Sequence, residues 1–200
     1  MSPERFEDAN AKRFQQRVAD IAIGTSVARN QGFAGAVDTA RRFLATMDLR
    51  EFGRQRTESE FLRLLDKRTL ELQQRLKARR KKQVAVKPTA PALWGTARKA
   101  LNVFLCEAYF HRVLQRCYGL QNLMRWLEVP LDSIISKAIK EKASDRKLRL
   151  PFPGVGRLDE MTSRRFQEQA KRIAENDQLP SRIYFEVREW RRTAARSEGS

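Results

Sequence analysis

The chain has 200 residues and carries 41 Lys and Arg against 24 Asp and Glu, a formal net charge of +17. So large an imbalance repels itself in the compact state. A polyanion relieves it and sheds counterions on binding, which points to nucleic acid as the partner. Hydrophobic residues make up 41% of the chain, with eleven Phe and three Trp, enough for a packed core. Long unbroken charge blocks are few, which argues against a disordered basic tail.

Two Cys (Cys106, Cys117) and one His (His111) are too few for a disulfide framework, a structural zinc site or a His-based triad. The opening residues MSPERFEDAN are polar, and no uninterrupted apolar run approaches membrane-spanning length. The expectation is a reducing, cytoplasmic, nucleoid-associated protein with no metal or other cofactor and no membrane partner.

Almost every periodic segment reads as helix. The first covers about 2–23, with Phe6, Phe14, Val18, Ile21 and Ala22 as its apolar stripe. A polar loop through Arg29, Asn30 and Gln31 leads to a second helix over about 34–47. After a connector at 48–53, Thr57 and Glu60 have capping-box spacing and open a third helix with Phe61, Leu64, Leu65, Leu72 and Leu76 inward. It gives way to a basic linker at 79–92, which starts with Arg79, Arg80, Lys81 and Lys82 and contains Pro88 and Pro91. A helix over about 93–118 is apolar nearly all round and is expected between others. Gly119 ends it. A short turn at 123–127 and Val129-Pro130-Leu131-Asp132-Ser133 follow, with Asp132 or Ser133 capping a helix to about 142. The loop at 150–156 precedes a helix over about 162–176 and a closing segment at 182–192, within which 183–187 has strand character but no partner strand.

Two residues stand out for chemistry. Lys99 shares a helical face with Val103, Cys106 and Phe110, and a lysine amine in an apolar setting is a group that can form a Schiff base. Asp132 stands at a helix start, where an anion is stabilised. Snorkelling to solvent and plain helix capping are the ordinary roles of such residues.

Taken together, a Lys on a buried helix and an apolar-Pro-apolar-Asp-Ser step into the next helix resemble the helix-hairpin-helix DNA glycosylase superfamily. The likeness is nearest to its 8-oxoguanine glycosylase/lyase members, including their divergent archaeal branch, which the separation of 33 residues suits. The resemblance implies that Lys99 attacks the sugar of a flipped nucleotide and that Asp132 stabilises the charge developing there. It covers about 94–140. The Leu-Pro-Gly-Val-Gly type of hairpin loop should precede the Asp, yet Pro153-Gly154-Val155-Gly156 follows it, leaving Tyr118-Gly119-Leu120 as a degenerate stand-in.

An extruded base needs a flat wall and polar readers. Trp94, Phe110, Trp126 and Trp190 are the wall candidates, and Arg29, Asn30 and Gln31 the readers. Phosphate contacts are assigned to Arg79, Arg80, Lys81, Lys82, Arg98, Gly154, Gly156 and Arg157.

The resulting expectation is an all-α, compact, two-lobed monomer. Its parts are an N-terminal helical lobe at 1–78, the basic linker at 79–92, a helical lobe at 93–192 carrying the Lys/Asp pair, and a frayed tail at 193–200. It acts on double-stranded DNA with a modified or damaged base, excising that base in repair or phage defence, with lyase activity where Lys99 attacks. The alternative is a helical DNA- or RNA-binding protein without catalysis.

Overall fold

The computed structural model describes residues 2–24, 27, 33–82, 92–143 and 152–197, with side chains through 189. Among them the protein is all-α, with no strand. The helices are α1 (Pro3–Ala22), α2 (Ala36–Thr46), α3 (Arg50–Gly53), α4 (Glu58–Lys81), α5 (Trp94–Phe110), α6 (Arg112–Tyr118), α7 (Ser133–Lys142), α8 (Glu160–Asn176) and α9 (Arg182–Ser197). Short 3-10 turns occupy Leu120–Arg125 and Val155–Arg157. None of the described helices is long and apolar enough to cross a membrane.

Local chemistry sets the helix starts. Ser2 caps α1 with Pro3 in its first turn, and Thr57 and Glu60 form the expected capping box on α4. α1 and α2 then pair through Gln15. This buried amide donates to the carbonyls of Leu44 and Met47, at 2.7 and 2.8 Å, filling acceptors that the end of α2 leaves open.

Several boundaries differ from the sequence reading. The predicted 93–118 helix is two helices, because His111 takes an extended ψ of 104° and turns the chain between α5 and α6. The basic stretch begins inside α4: Arg79, Arg80 and Lys81 are helical, and Arg80 is buried. Residues 183–187 belong to α9, where Ile183 and Phe185 are fully buried. Phe6 and Ile21 face outward from α1, whose buried face is Ala11, Gln15, Val18 and Ala19.

α5 runs through the centre, as its all-round apolarity requires, touching α1, α2, α4, α6 and α8. One apolar cluster joins it to α1, α2, α4 and α6. A second gathers Trp94, Ile135, Ile139, Phe166 and Phe185 from α5, α7, α8 and α9 with Val129 and Leu131 of the segment before α7. Gly95 lets α5 approach the 3-10 turn at Val155–Arg157 closely: a Cβ there would lie 2.2 Å from the Val155 carbonyl oxygen and 2.6 Å from Leu158 Cβ.

Candidate active site

Lys99 lies on α5 and Asp132 at the start of α7, and the fold brings them together. Lys99 Nζ is 3.3 Å from Asp132 Oδ2, with Lys99 only 9% exposed. The two Asp132 oxygens divide their work. Oδ1 accepts from the amides of Ile134 and Ile135, each at 3.0 Å, capping α7, while Oδ2 faces Lys99.

Asp132 is held there by the strap at 126–132, whose backbone and side-chain groups are met one after another. Arg182 donates to the carbonyls of Trp126 (2.6 Å) and Leu127 (2.8 Å). Gln167 grips Val129 twice, accepting from its N–H at 2.9 Å and donating to its carbonyl at 2.8 Å. Glu128 receives Arg98 through two N–H groups, at 2.8 and 3.1 Å, and Asn102 at 3.1 Å. Arg98 and Lys99 are neighbours on α5, so one turn of helix anchors the strap at Glu128 and meets its end at Asp132. Burial alone would push the Glu128 carboxyl up, but Arg98, with Arg182 and Asn102, prevails and holds it below the usual range.

A third acid, Glu186 of α9, feels the charges of Asp132, Glu107 and Lys99. Burial, then the charges of Asp132 and Glu107, push its carboxyl up to about 7 against the pull of Lys99. The Cys106 thiol is pushed far up by burial and by the same Glu186 and Glu107, so it is not a nucleophile at neutral pH.

Exposed apolar side chains stand on the same helices as these charges. Phe110 is half-exposed and meets Tyr184 edge-on at 6.3 Å and Tyr109 at 5.0 Å. Ile134, beside Asp132, and Val187, beside Glu186, are also exposed. A pocket of about 240 Å³ adjoins, lined by Val18, Ile21, Ala22, Glu107, Phe110 and His111. A larger hollow of about 550 Å³ lies beyond the Arg98–Glu128 pair, between α4 and α8. Its walls are ion pairs (Arg164–Asp66, Lys171–Glu58, Arg182–Glu58), whose charges already answer one another.

Other predicted site residues lie elsewhere. Arg98 is no phosphate contact: it is 2% exposed, committed to Glu128 and to Asp66 at 2.8 Å, and stacked on Trp94. Trp94 and Trp126 are buried within the two apolar clusters, whereas Phe110 is half-exposed on α5, about three helical turns from Lys99. Lys81, Lys82 and Arg157 are exposed, and Gly154 and Gly156 half-buried, on the surface as phosphate contacts require. Arg29, Asn30 and Gln31 and the side chain of Trp190 lie outside the described residues. Among the described residues no group of three His, Cys, Asp or Glu could hold a metal ion.

Glu186 is the residue that sequence reasoning missed, along with the clamps Arg182, Gln167 and Glu128. Its signal is present: an acid inside Ile183-Tyr184-Phe185-Glu186-Val187 is a charge in an apolar run, the same signal that marks Lys99. No protein-family model matches this chain, and no curated protein or solved structure matches it.

Proposed function

We propose that the protein is a DNA glycosylase of the helix-hairpin-helix type with lyase chemistry, which flips a modified or damaged base from duplex DNA and cuts its N-glycosidic bond. The observation that carries this reading is the buried Lys99–Asp132 contact at 3.3 Å, across 33 residues of sequence. The amine of Lys99 attacks C1′ of the flipped nucleotide, and Asp132 stabilises the positive charge that develops on the sugar.

The start of α5 adds support. Leu93-Trp94-Gly95-Thr96-Ala97 has the Leu-x-Gly-x-small order of a hairpin turn and lies ahead of both Lys99 and Asp132. Leu93 takes a left-handed φ of 65°, and Gly95 has no room for a Cβ. This order, at the start of α5 and ahead of Asp132, supports the reading as a second candidate for the turn that the resemblance implies. The net charge of +17 supplies the attraction to DNA, with repair and phage defence both open as settings.

The test is borohydride trapping on duplexes bearing oxidised purines or hypermodified bases. A covalent adduct lost in Lys99→Gln supports the lyase. Base release that survives Lys99→Gln but is lost in Asp132→Asn identifies a monofunctional glycosylase.

The second reading is a helical nucleic-acid-binding protein without catalysis. The helix-capping role of Asp132 favours it, since capping alone explains that residue. DNA binding with no release or trapping on any duplex would establish it.

A further inference from the structure

The outer face of α4 carries positive charge that no neighbour answers. At 3.6 residues per turn, Arg63, Lys67, Leu70, Gln74, Lys77 and Lys81 fall within an arc of about 80°. All are exposed except Lys77, which is half-buried. The buried face, with Phe61, Leu65, Leu72 and Leu76, lies on the other side of the helix.

The acids of α4 are all engaged away from this stripe. Glu58 pairs with Lys171 and Arg182, Asp66 with Arg98 and Arg164, and Glu71 with Arg68, while Glu60 closes the capping box. Among the described residues no ion pair includes Arg63, Lys67, Lys77 or Lys81, and Arg63 feels Glu60 only through space. Other helices are different. Arg112 and Arg116 of α6 meet Glu7, Lys137 of α7 meets Glu141, Arg172 of α8 meets Glu168, and Arg188 of α9 meets Asp177. On α1 the face with Arg13 and Arg17 also holds Asp20.

The order along the stripe is informative. Two cations stand at each end, with Leu70 and Gln74 between them. At 1.5 Å per residue the stripe is about 27 Å long, and Lys67 and Lys77 are about 15 Å apart. The major groove of duplex DNA is about 12 Å wide and admits a helix, so long cationic side chains at that spacing reach the phosphates on both of its edges. A membrane surface suits the stripe less well. It calls for an apolar face turned outward, and Leu70 is the only large apolar side chain here, the rest of α4's apolar face being buried.

Resting on the duplex DNA partner proposed above and not on base release, we propose that α4 lies across the major groove of DNA. Arg63 and Lys67 grip the phosphates of one strand, Lys77 and Lys81 those of the other, and Leu70 and Gln74 face the base edges between them. Gln74 brings an amide that both donates and accepts, the group that suits an adenine edge.

The experiment is fluorescence anisotropy over a salt series with duplex and single-stranded DNA of one sequence. Lys67→Ala/Lys77→Ala/Lys81→Ala should shallow the slope of log affinity against log salt on the duplex by about 3. Arg5→Ala/Arg13→Ala/Arg17→Ala removes the same charge from α1 and should shallow it by less than about 1. Melting temperatures of both variants confirm that they fold. The unaltered protein should bind duplex more tightly than single strand, and a photo-crosslinking side chain at position 74 should join to the duplex while one at position 16 of α1 should not. Equal loss in the two triple variants, equal affinity for single strand, or no crosslink from position 74 overturns the proposal. So does binding to phosphatidylserine vesicles with none to DNA. Base release that persists beside any of the first three results leaves the glycosylase reading standing. The expected slopes and crosslink without base release on any duplex remove that reading and support α4 as the DNA-binding face.

Discussion

Arg98 binds Glu128 through two N–H groups in the interior, one residue before Lys99 on the same helix. Both side chains are nearly sealed from solvent, at 3% and 2% exposure. A buried pair of this kind is costly to break, because the survivor is left as an uncompensated charge. Glu128→Gln should therefore destabilise the protein by about 3–5 kcal/mol, measured by denaturant unfolding. The double variant Arg98→Met/Glu128→Leu should recover part of that loss, since it removes both buried charges and leaves Asn102 and Thr69 short of a partner. Equal stability of Glu128→Gln and the unaltered protein would show that the pair does not hold the strap.

Glu186 gives stability a pH dependence of unusual sign. Its folded carboxyl sits at about 7, above the usual 4.5, so the folded state holds a proton that the unfolded state releases. Stability is therefore greatest below about 4.5 for this group and falls as pH rises through about 7. The full effect is up to about 3 kcal/mol. Glu186→Gln should be the more stable protein at alkaline pH and should lose that slope, as read from melting temperature against pH. A Glu186→Gln protein with an unchanged slope would refute the assignment.

The two residues of the central pair were legible because each is a charge in an apolar frame: Lys99 on the Val103–Cys106–Phe110 face, Asp132 after Val129-Pro130-Leu131. Glu186 carries the same signal, but Ile183, Tyr184, Phe185 and Val187 are β-branched or aromatic and suggest a strand rather than a helical face. The break at His111 has no Gly or Pro to announce it. Arg98 shows a limit of another kind. Its charge suits a phosphate, and only the distant Glu128 and Asp66 decide that it points inward. Side-chain direction is a property of tertiary pairing, which local pattern does not encode.

Gly95 should invert an ordinary helix rule. Gly→Ala inside a helix normally gains about 0.5–1 kcal/mol. At position 95 the new methyl would lie 2.2 Å from the Val155 carbonyl oxygen, a backbone atom that cannot step aside alone. Gly95→Ala should therefore lower stability by about 1–3 kcal/mol, as overpacking does. It should also weaken the proposed base release, since the start of α5 leads into Lys99. A gain in melting temperature would contradict this packing.

The exposed basic residues should set the salt dependence of DNA binding. Lys81, Lys82 and Arg157 are free to reach phosphates, whereas Arg98 is committed inside. Each phosphate neutralised contributes about 0.9 to the slope of log affinity against log salt. The triple variant Lys81→Ala/Lys82→Ala/Arg157→Ala should therefore shallow that slope by about 2–3. It should leave thermal stability nearly unchanged, because surface charges contribute little to folding. Arg98→Gln should do the reverse, costing stability while leaving the slope of the folded fraction intact. Affinity measured by fluorescence anisotropy over a salt series decides between them. A flat response in the unaltered protein would remove the electrostatic basis for DNA binding altogether.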